Sequence, residues 1–445
     1  MNSETGMSFW SRLILILAFL LPLAVLFLLP GGALLTSQLL FWAVLVLWIW
    51  IIWRVLGRSR PVPVGTAEEE HHMLHLEEQP DAIKQVMNVK IATEEQGVKI
   101  FRGRLRESAT TVYERLKGAF SSESVPMVQQ DDQLEAAILL VPKAVEKATM
   151  EEPVRPWVHG LLFALTIVTT TYAGAAHQGI NLVREPGRFT FGLPYSLGLL
   201  AILGVHELGH YFTARWHGMR VTPPYFIPVP FALGTFGAFI QLRSPAEDRR
   251  ALFDVAVAGP LAGLAVAIPA LLLGLRSSEV LAGNQPEIQD MMGGTSVGSS
   301  LLFALLSKLV LGNALQVGHV LRLSPLAFAG WLGLLITALN LLPIGQLDGG
   351  HMAHAMFGRR IGNIIGSIAM WSLFLLAIFV WPGLMMWVII VFFIASRSVP
   401  PLNDLTPLTP GRVWVGYATF VILAFILFPL PHSLWPAAGI HCPYL

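Results

Sequence analysis

Apolar residues in this chain gather into long unbroken runs, not at the period of strands or of half-buried helices. Runs at residues 9–29 and 34–56, parted by a Pro-Gly-Gly turn, each approach the ~20 residues that a helix needs to cross a bilayer. They predict a helical hairpin; the first is too long for the apolar core of a signal peptide and is followed at once by a second span. Beyond Pro156 the pattern resumes at residues 158–176, 191–215, 252–275, 325–342, 361–380, 381–395 and 413–430, which makes about nine spans. The apolar stretch at 301–311 is short and contains Lys308, so it reads as a re-entrant or interfacial helix.

Between the second and third runs the pattern changes in kind. Residues 58–156 hold 17 of the chain's 28 acidic residues, and from Val98 the text alternates strand-like, helix-like and strand-like stretches, as in a small soluble α+β module. Its acidic start includes His71, His72 and His75; a solvated helix face is the reading there, with a metal site as the alternative. A second departure is the piece from Val221 to Leu242, rich in Pro, Phe and Gly, in which "GAFIQL" alternates like a strand edge. The expected fold is therefore an all-α polytopic membrane protein of about nine transmembrane helices, with a small soluble α+β domain and a short membrane-associated β segment. Its expected divisions are an N-terminal hairpin (1–57), a soluble cytosolic domain (58–156) and a membrane-embedded domain (157–445).

Composition agrees, with 54% hydrophobic and 13% charged residues and a mean hydropathy of +0.62. The net charge of +1 and the scattered basic residues give no nucleic-acid footprint. A single cysteine, Cys442, excludes an intramolecular disulfide and a cysteine-based metal site. Arginines at the span ends (Arg54, Arg58 and Arg60; Arg215, Arg220 and Arg243; Arg359 and Arg360; Arg397 and Arg412) fall on one side if the N-terminus is cytoplasmic.

Against this background "LAILGVHELGHYFTARWHGM", residues 200–219, is anomalous. Ionisable groups at membrane depth cost several kcal/mol by most measures and mark function. In a helix His206 and His210 stand at i and i+4, one turn apart on one face, as two imidazoles converging on a Zn²⁺ do. Glu207 lies beside them, placed to take a proton from a water. The soluble zinc-protease extensions do not follow: the positions three and six past His210 are Thr213 and Trp216, and His217 is one place off. A third ligand must come from elsewhere.

The candidate is "ALNLLPIGQLDGGHMAHAM", residues 338–356, where Asp348 sits in a Gly-flanked break after Pro343 that lets a carboxylate turn toward a neighbouring helix. A helix cap or an interfacial position is the alternative for Asp348, and a helix-helix hydrogen bond for Asn340. His351 and His354 read as interfacial packing, with His351 also a candidate ligand or ligand-supporting group.

"HELGH" in one span and "NLLPIGQLDGG" in a later one resemble the site-2 protease family of intramembrane zinc metalloproteases, whose motifs are HExxH and an Asn-x-x-Pro-x-x-x-x-Asp-Gly segment. The stretch "GTFGAFIQLRSPAEDRRALFDVAVAGPLAGL" is also similar to that family, and "IFRGRLRESATTVYERLKGAF" and "PPLNDLTPLTPGR" resemble its cyanobacterial and chloroplast EGY-type branch. The resemblance implies that His206, His210 and Asp348 bind one Zn²⁺ per chain, that Glu207 is the catalytic base, that Asn340 helps to hold the substrate carbonyl or the developing oxyanion, and that Gly349 permits the turn presenting Asp348. Only about fifty residues separate Arg276 from the next full span, too few for the PDZ module that many bacterial members carry.

The expected activity is hydrolysis of peptide bonds in or near the spans of single-span membrane proteins within the bilayer, with an upstream first-site protease as a further partner and no nucleic acid. Residues 237–242 are expected to pair with locally unwound substrate by strand addition, a sealing interfacial loop being the alternative. Gly259 and Gly263 form a Gly-x-x-x-Gly pair for close packing of spans. A metal-binding membrane transporter or a catalytically inactive scaffold are the alternative functions. The expected location is a bacterial inner membrane, with the active site toward the cytosol; a plastid membrane is the alternative.

Overall fold

A computed structural model of the chain describes residues 72–73, 80–95, 97–120, 123–131, 135–143, 155–229, 233–282, 296–297, 300–314, 319–379, 385–394, 400–428 and 438–441. The expected N-terminal hairpin, His71, His75 and Cys442 lie outside these residues.

The first described part is an antiparallel sheet built from β1 (His72–Met73), β2 (Met87–Glu95), β3 (Val98–Leu105), β4 (Ser124–Asp131) and β5 (Glu135–Pro142), in the order β1-β2-β3-β5-β4. Helices α1 (Asp81–Val86) and α2 (Ala109–Phe120) pack on it. Val112, Tyr113 and Leu116 form the buried stripe of α2 and meet Phe101, Val128 and Ile138 of the sheet. The expected α+β character is present, but β2 and β4 were not anticipated, because Lys, Thr, Glu and Gln interrupt their apolar alternation. His72 lies in β1, not on a helix face.

The apolar runs become α3 (Pro156–Ala176), α4 (Leu193–Trp216), α5 (Arg249–Arg276), α6 (Leu301–Leu311), α7 (Pro325–Leu341), α8 (Asp348–Phe379), α9 (Met385–Ile394) and α10 (Pro410–Leu427). Among the described residues five helices are long and apolar enough to cross a membrane: α3, α4 with the 3-10 turn before it, α5, α8 and α10. Helix α7 has 17 residues, one fewer than its run, and the described part of α9 has 10. Glycine and alanine bring α4, α5 and α7 into close contact around Leu199, Leu203, Ala267, Leu271 and Phe328, the main core.

Two further sheets accompany the helices. Strands β6 (Tyr225–Pro228) and β7 (Thr235–Phe239) form an antiparallel hairpin between α4 and α5, continued by the Val221–Leu242 bridge, in agreement with the expected β segment. A four-stranded sheet of β8 (Glu279–Ala282), β10 (His319–Arg322), β11 (Ala438–His441) and β9 (Ser296–Val297) was not anticipated, since its strands lie far apart in sequence.

Residues 400–409 strap the first sheet to the N-terminal end of α5. Val128 of β4 donates to the Leu402 carbonyl (2.7 Å) and accepts from the Asp404 amide (2.8 Å), while Leu402 and Asn403 donate to Ala246 and Glu247 (2.8 and 2.9 Å). Arg249 pairs with Asp404 at 2.9 Å, both side chains largely buried. Lys117 of α2 bonds Glu247, which raises the lysine's pKa. The sheet is thus joined to the helical part by backbone ladders and ion pairs, not by a tether alone.

Candidate metal centre

Helix α4 carries a proline in its first turn, whose missing amide costs nothing there, and runs uninterrupted through Leu, Ile and Val to Trp216, past which Gly218 turns the chain at φ +71°. His206, Glu207 and His210 lie within it, at 4%, 5% and 6% exposure. Such burial of three ionisable groups requires that each find a partner.

Helix α5 supplies part of that partnership. The carbonyl of Val255 accepts a hydrogen bond from Nδ1–H of His210 at 2.7 Å. This fixes the imidazole's tautomer and leaves the Nε2 lone pair free to act as a ligand. One turn further on, a Cβ at Gly259 would overlap the His210 ring, and one at Gly263 would stand 3.1 Å from His206 Nδ1. The Gly-x-x-x-Gly pair, expected to pack spans, therefore makes room for the two imidazoles.

Asp348 arrives from the other side. After α7 the chain turns at Pro343, Gly345 takes φ +49°, and α8 begins at Asp348. Gly349 abuts the Leu341 carbonyl so closely that a Cβ could not fit. The turn delivers Asp348 Oδ2 to 3.4 Å from His206 Nε2 and 3.3 Å from His210 Nε2, the two nitrogens being 3.1 Å apart.

That donor set suits a metal ion. With the proton of His210 on Nδ1, electron pairs of nitrogen and carboxylate oxygen face one another at contact distance, an arrangement that a cation between them relieves. Ligands at ~2.0–2.1 Å from a tetrahedral Zn²⁺ would stand about 3.3 Å apart, close to the three spacings seen. Among the described residues these three form the group able to hold a metal ion.

Glu207 stands outside that ligand group but lines the same cavity, as does Ile240, just past β7. Asn340 Nδ2 lies 3.3 Å from His206 Nε2. All five expected residues line one cavity of about 230 Å³, together with Ala238, Ile240 and His351. Of the other histidines, His354 pairs with Asn363 Oδ1 at 2.9 Å and His217 with Asp254 at 3.0 Å, both away from the ligand group. The buried Nδ1 of His351 has no hydrogen-bond partner among the described residues. Sequence reasoning missed the Val255 carbonyl, because a backbone acceptor has no residue type to announce it.

Residues 194–380 match the family model of peptidase family M50. The chain is 29% identical over 353 residues to the probable zinc metalloprotease EGY2, chloroplastic, of Oryza sativa subsp. indica, covering 76% of this chain and 62% of that protein. It is 28% identical to the Arabidopsis thaliana protein of that name (76% and 61% covered). To the probable zinc metalloprotease EGY1, chloroplastic, of Arabidopsis thaliana it is 33% identical over 303 residues (63% and 54% covered). The chain thus spans about three fifths of the length of its first relatives.

These names overturn the expected bacterial inner membrane, since the relatives are named as chloroplastic. Span length and arginine bias report how a chain threads a bilayer, and they do not distinguish one organelle's bilayer from another's.

Proposed function

We propose, from the premise that residues 194–380 are a domain of peptidase family M50, that this chain is an intramembrane zinc endopeptidase cutting single-span membrane proteins in or near their spans. The observation that carries this reading is the meeting of His206, His210 and Asp348 at 3.1–3.4 Å, with Glu207 on the same cavity, inside helices built to cross a membrane. A chloroplast membrane is the setting that its relatives' names support. In this reading residues 157–445 are the membrane-embedded protease and residues 58–156 a soluble domain.

His206, His210 and Asp348 would hold one Zn²⁺, leaving a fourth position open. The ion, when bound, supplies the Lewis acidity that makes a water acidic near neutral pH and polarises the scissile carbonyl. Glu207, on the wall of the same cavity, takes the water's proton and returns it to the leaving amine. The Asn340 side-chain amide donates to the carbonyl oxygen as negative charge develops on it. Val255 keeps the proton of His210 on Nδ1 throughout.

A substrate helix hides its backbone in its own hydrogen bonds, so cleavage needs a place to hold it unwound. The backbone of Gln241 bonds Thr222 across the extended hairpin, and by strand alternation Ala238 and Ile240 face the other way, into the cavity. That free edge offers strand addition. In a Glu207→Gln background, Ala238→Cys should form disulfides with single cysteines placed at alternate positions beside the substrate's cleavage site. Absence of any such cross-link would discard the strand-addition reading.

The whole proposal is tested by metal removal from the full chain in detergent. One zinc per chain is expected; chelation should abolish cleavage of a single-span substrate and added Zn²⁺ should restore it. Undiminished cleavage by a zinc-free chain would refute the proposal.

A further inference from the structure

We infer that Asp254, which the chemistry above does not use, is a positioning residue for His210, held in place by Arg412 and His217. The inference rests on the metal-site reading of the preceding subsection.

Asp254 stands in the second turn of α5, its side chain 17% exposed. Its carboxylate accepts two hydrogen bonds from one guanidinium, Arg412 Nε to Oδ1 and Nη2 to Oδ2, both at 2.7 Å. Oδ2 also lies 3.0 Å from His217 Nε2. Arg412 belongs to the first turn of α10, where Nη1 further bonds Thr409 Oγ1 (3.2 Å), and His217 caps the C-terminal end of α4. Three helices therefore meet on one carboxylate, α10 through a bidentate, charge-assisted pair, the geometry in which such contacts are strongest, and α4 through a single bond.

The next residue along α5 is Val255, whose carbonyl accepts from His210 Nδ1. Consecutive residues of a helix are locked together, ~1.5 Å apart in rise. Helices α4 and α5 are thus pinned at two points, His210 to Val255 and His217 to Asp254, seven residues apart on α4 and one apart on α5. The packed core already restrains α5, and a second pin adds a polar restraint on its roll. That second pin, itself fixed by Arg412, helps to hold the Val255 carbonyl, with Gly259 beyond it, at the height that sets the ring of His210. Partners of this kind, one bond removed from a metal ligand, tune affinity by orienting it.

The test uses the full chain in detergent, with zinc affinity read by chelator competition and ligand geometry by the visible absorption of the Co²⁺-loaded protein. Asp254→Asn and Arg412→Gln should each weaken zinc binding about tenfold and shift the Co²⁺ bands. The double variant should be no worse than the worse single one, because Arg412 acts through Asp254. Arg412→Lys, which keeps the charge and loses the fork, should recover part of the affinity. If Asp254→Asn fails to fold, Arg412→Gln carries the test with the carboxylate left in place. Leu116→Ala, in the separate core of the first sheet, is the comparison for general loss of stability and should leave the Co²⁺ bands unmoved. Wild-type affinity and bands in both single variants, or the same change in Leu116→Ala, would overturn the role of Asp254. A wild-type chain that binds no zinc would overturn the metal-site reading, and this inference with it.

Discussion

Glu207→Gln is expected to slow peptide-bond cleavage by about 10²–10⁴-fold, the usual worth of a positioned general base, while leaving zinc content at that of the wild type. The amide is nearly isosteric with the carboxylate, so the cavity wall should keep its shape. It cannot take a proton from water at ordinary pH, and the loss falls on the chemical step alone. Glu207 is outside the ligand group of His206, His210 and Asp348, so its replacement should not release the ion. The measurement pairs cleavage of a co-expressed single-span reporter with zinc per purified chain. Equal cutting by both versions, each holding one zinc, would refute the protease assignment.

Gly259→Ala is expected to cost zinc itself, by at least the 10–100-fold seen when groups supporting a ligand are removed, and cleavage with it. A Cβ at residue 259 would occupy the space of the His210 ring, overlapping Nε2, Cδ2 and Cε1. The ring is hemmed in: its Nδ1 is tied to Val255 and its Nε2 faces His206 and Asp348, so it cannot swing aside without losing one of these partners. The alternative, separation of α4 from α5, would open the buried contacts of the main core. Gly263→Ala should be milder, a fewfold loss, since its nearest atoms on His206 stand 3.1 and 3.2 Å away and a few tenths of an ångström of movement accommodates them. Elemental analysis of zinc after size exclusion, with thermal unfolding to confirm a folded chain, decides it. Full zinc occupancy in Gly259→Ala would show that the two helices are not held as tightly as described.

How legible this was differs from residue to residue. The spacing of His206 and His210 already put both imidazoles on one helix face, because helical period is a local property. Asp348 was reached through its motif and through a break at Pro343 and Gly345, where the structure does turn. Gly259 and Gly263 were visible as a small-residue pair, but the sequence said only that something approaches closely there. That the approaching groups are the two imidazoles depends on the depth at which α5 crosses α4, which no period records. Asp254 had no local signature: its partners His217 and Arg412 lie 37 and 158 residues away. The strap at residues 400–409 was likewise hidden, since Asn, Asp, Thr and Pro read as an ordinary loop until Val128 and Ala246 supply the backbone groups that pair with it.

By itself the sequence determined, among the described residues, five helices able to cross a membrane, the mixed strand and helix module before them, the β segment between α4 and α5, and the identity of the ionisable groups placed among the helices. These follow from composition and period, which act over one or a few turns of chain. Tertiary structure alone decided that His206, His210 and Asp348 converge to within hydrogen-bonding distance, which imidazole nitrogen carries the proton, and which glycines leave room for the rings. The physical reason is that a metal centre is a set of distances between separate helices, fixed by how closely their backbones can approach and by the carbonyls and carboxylates that pin them.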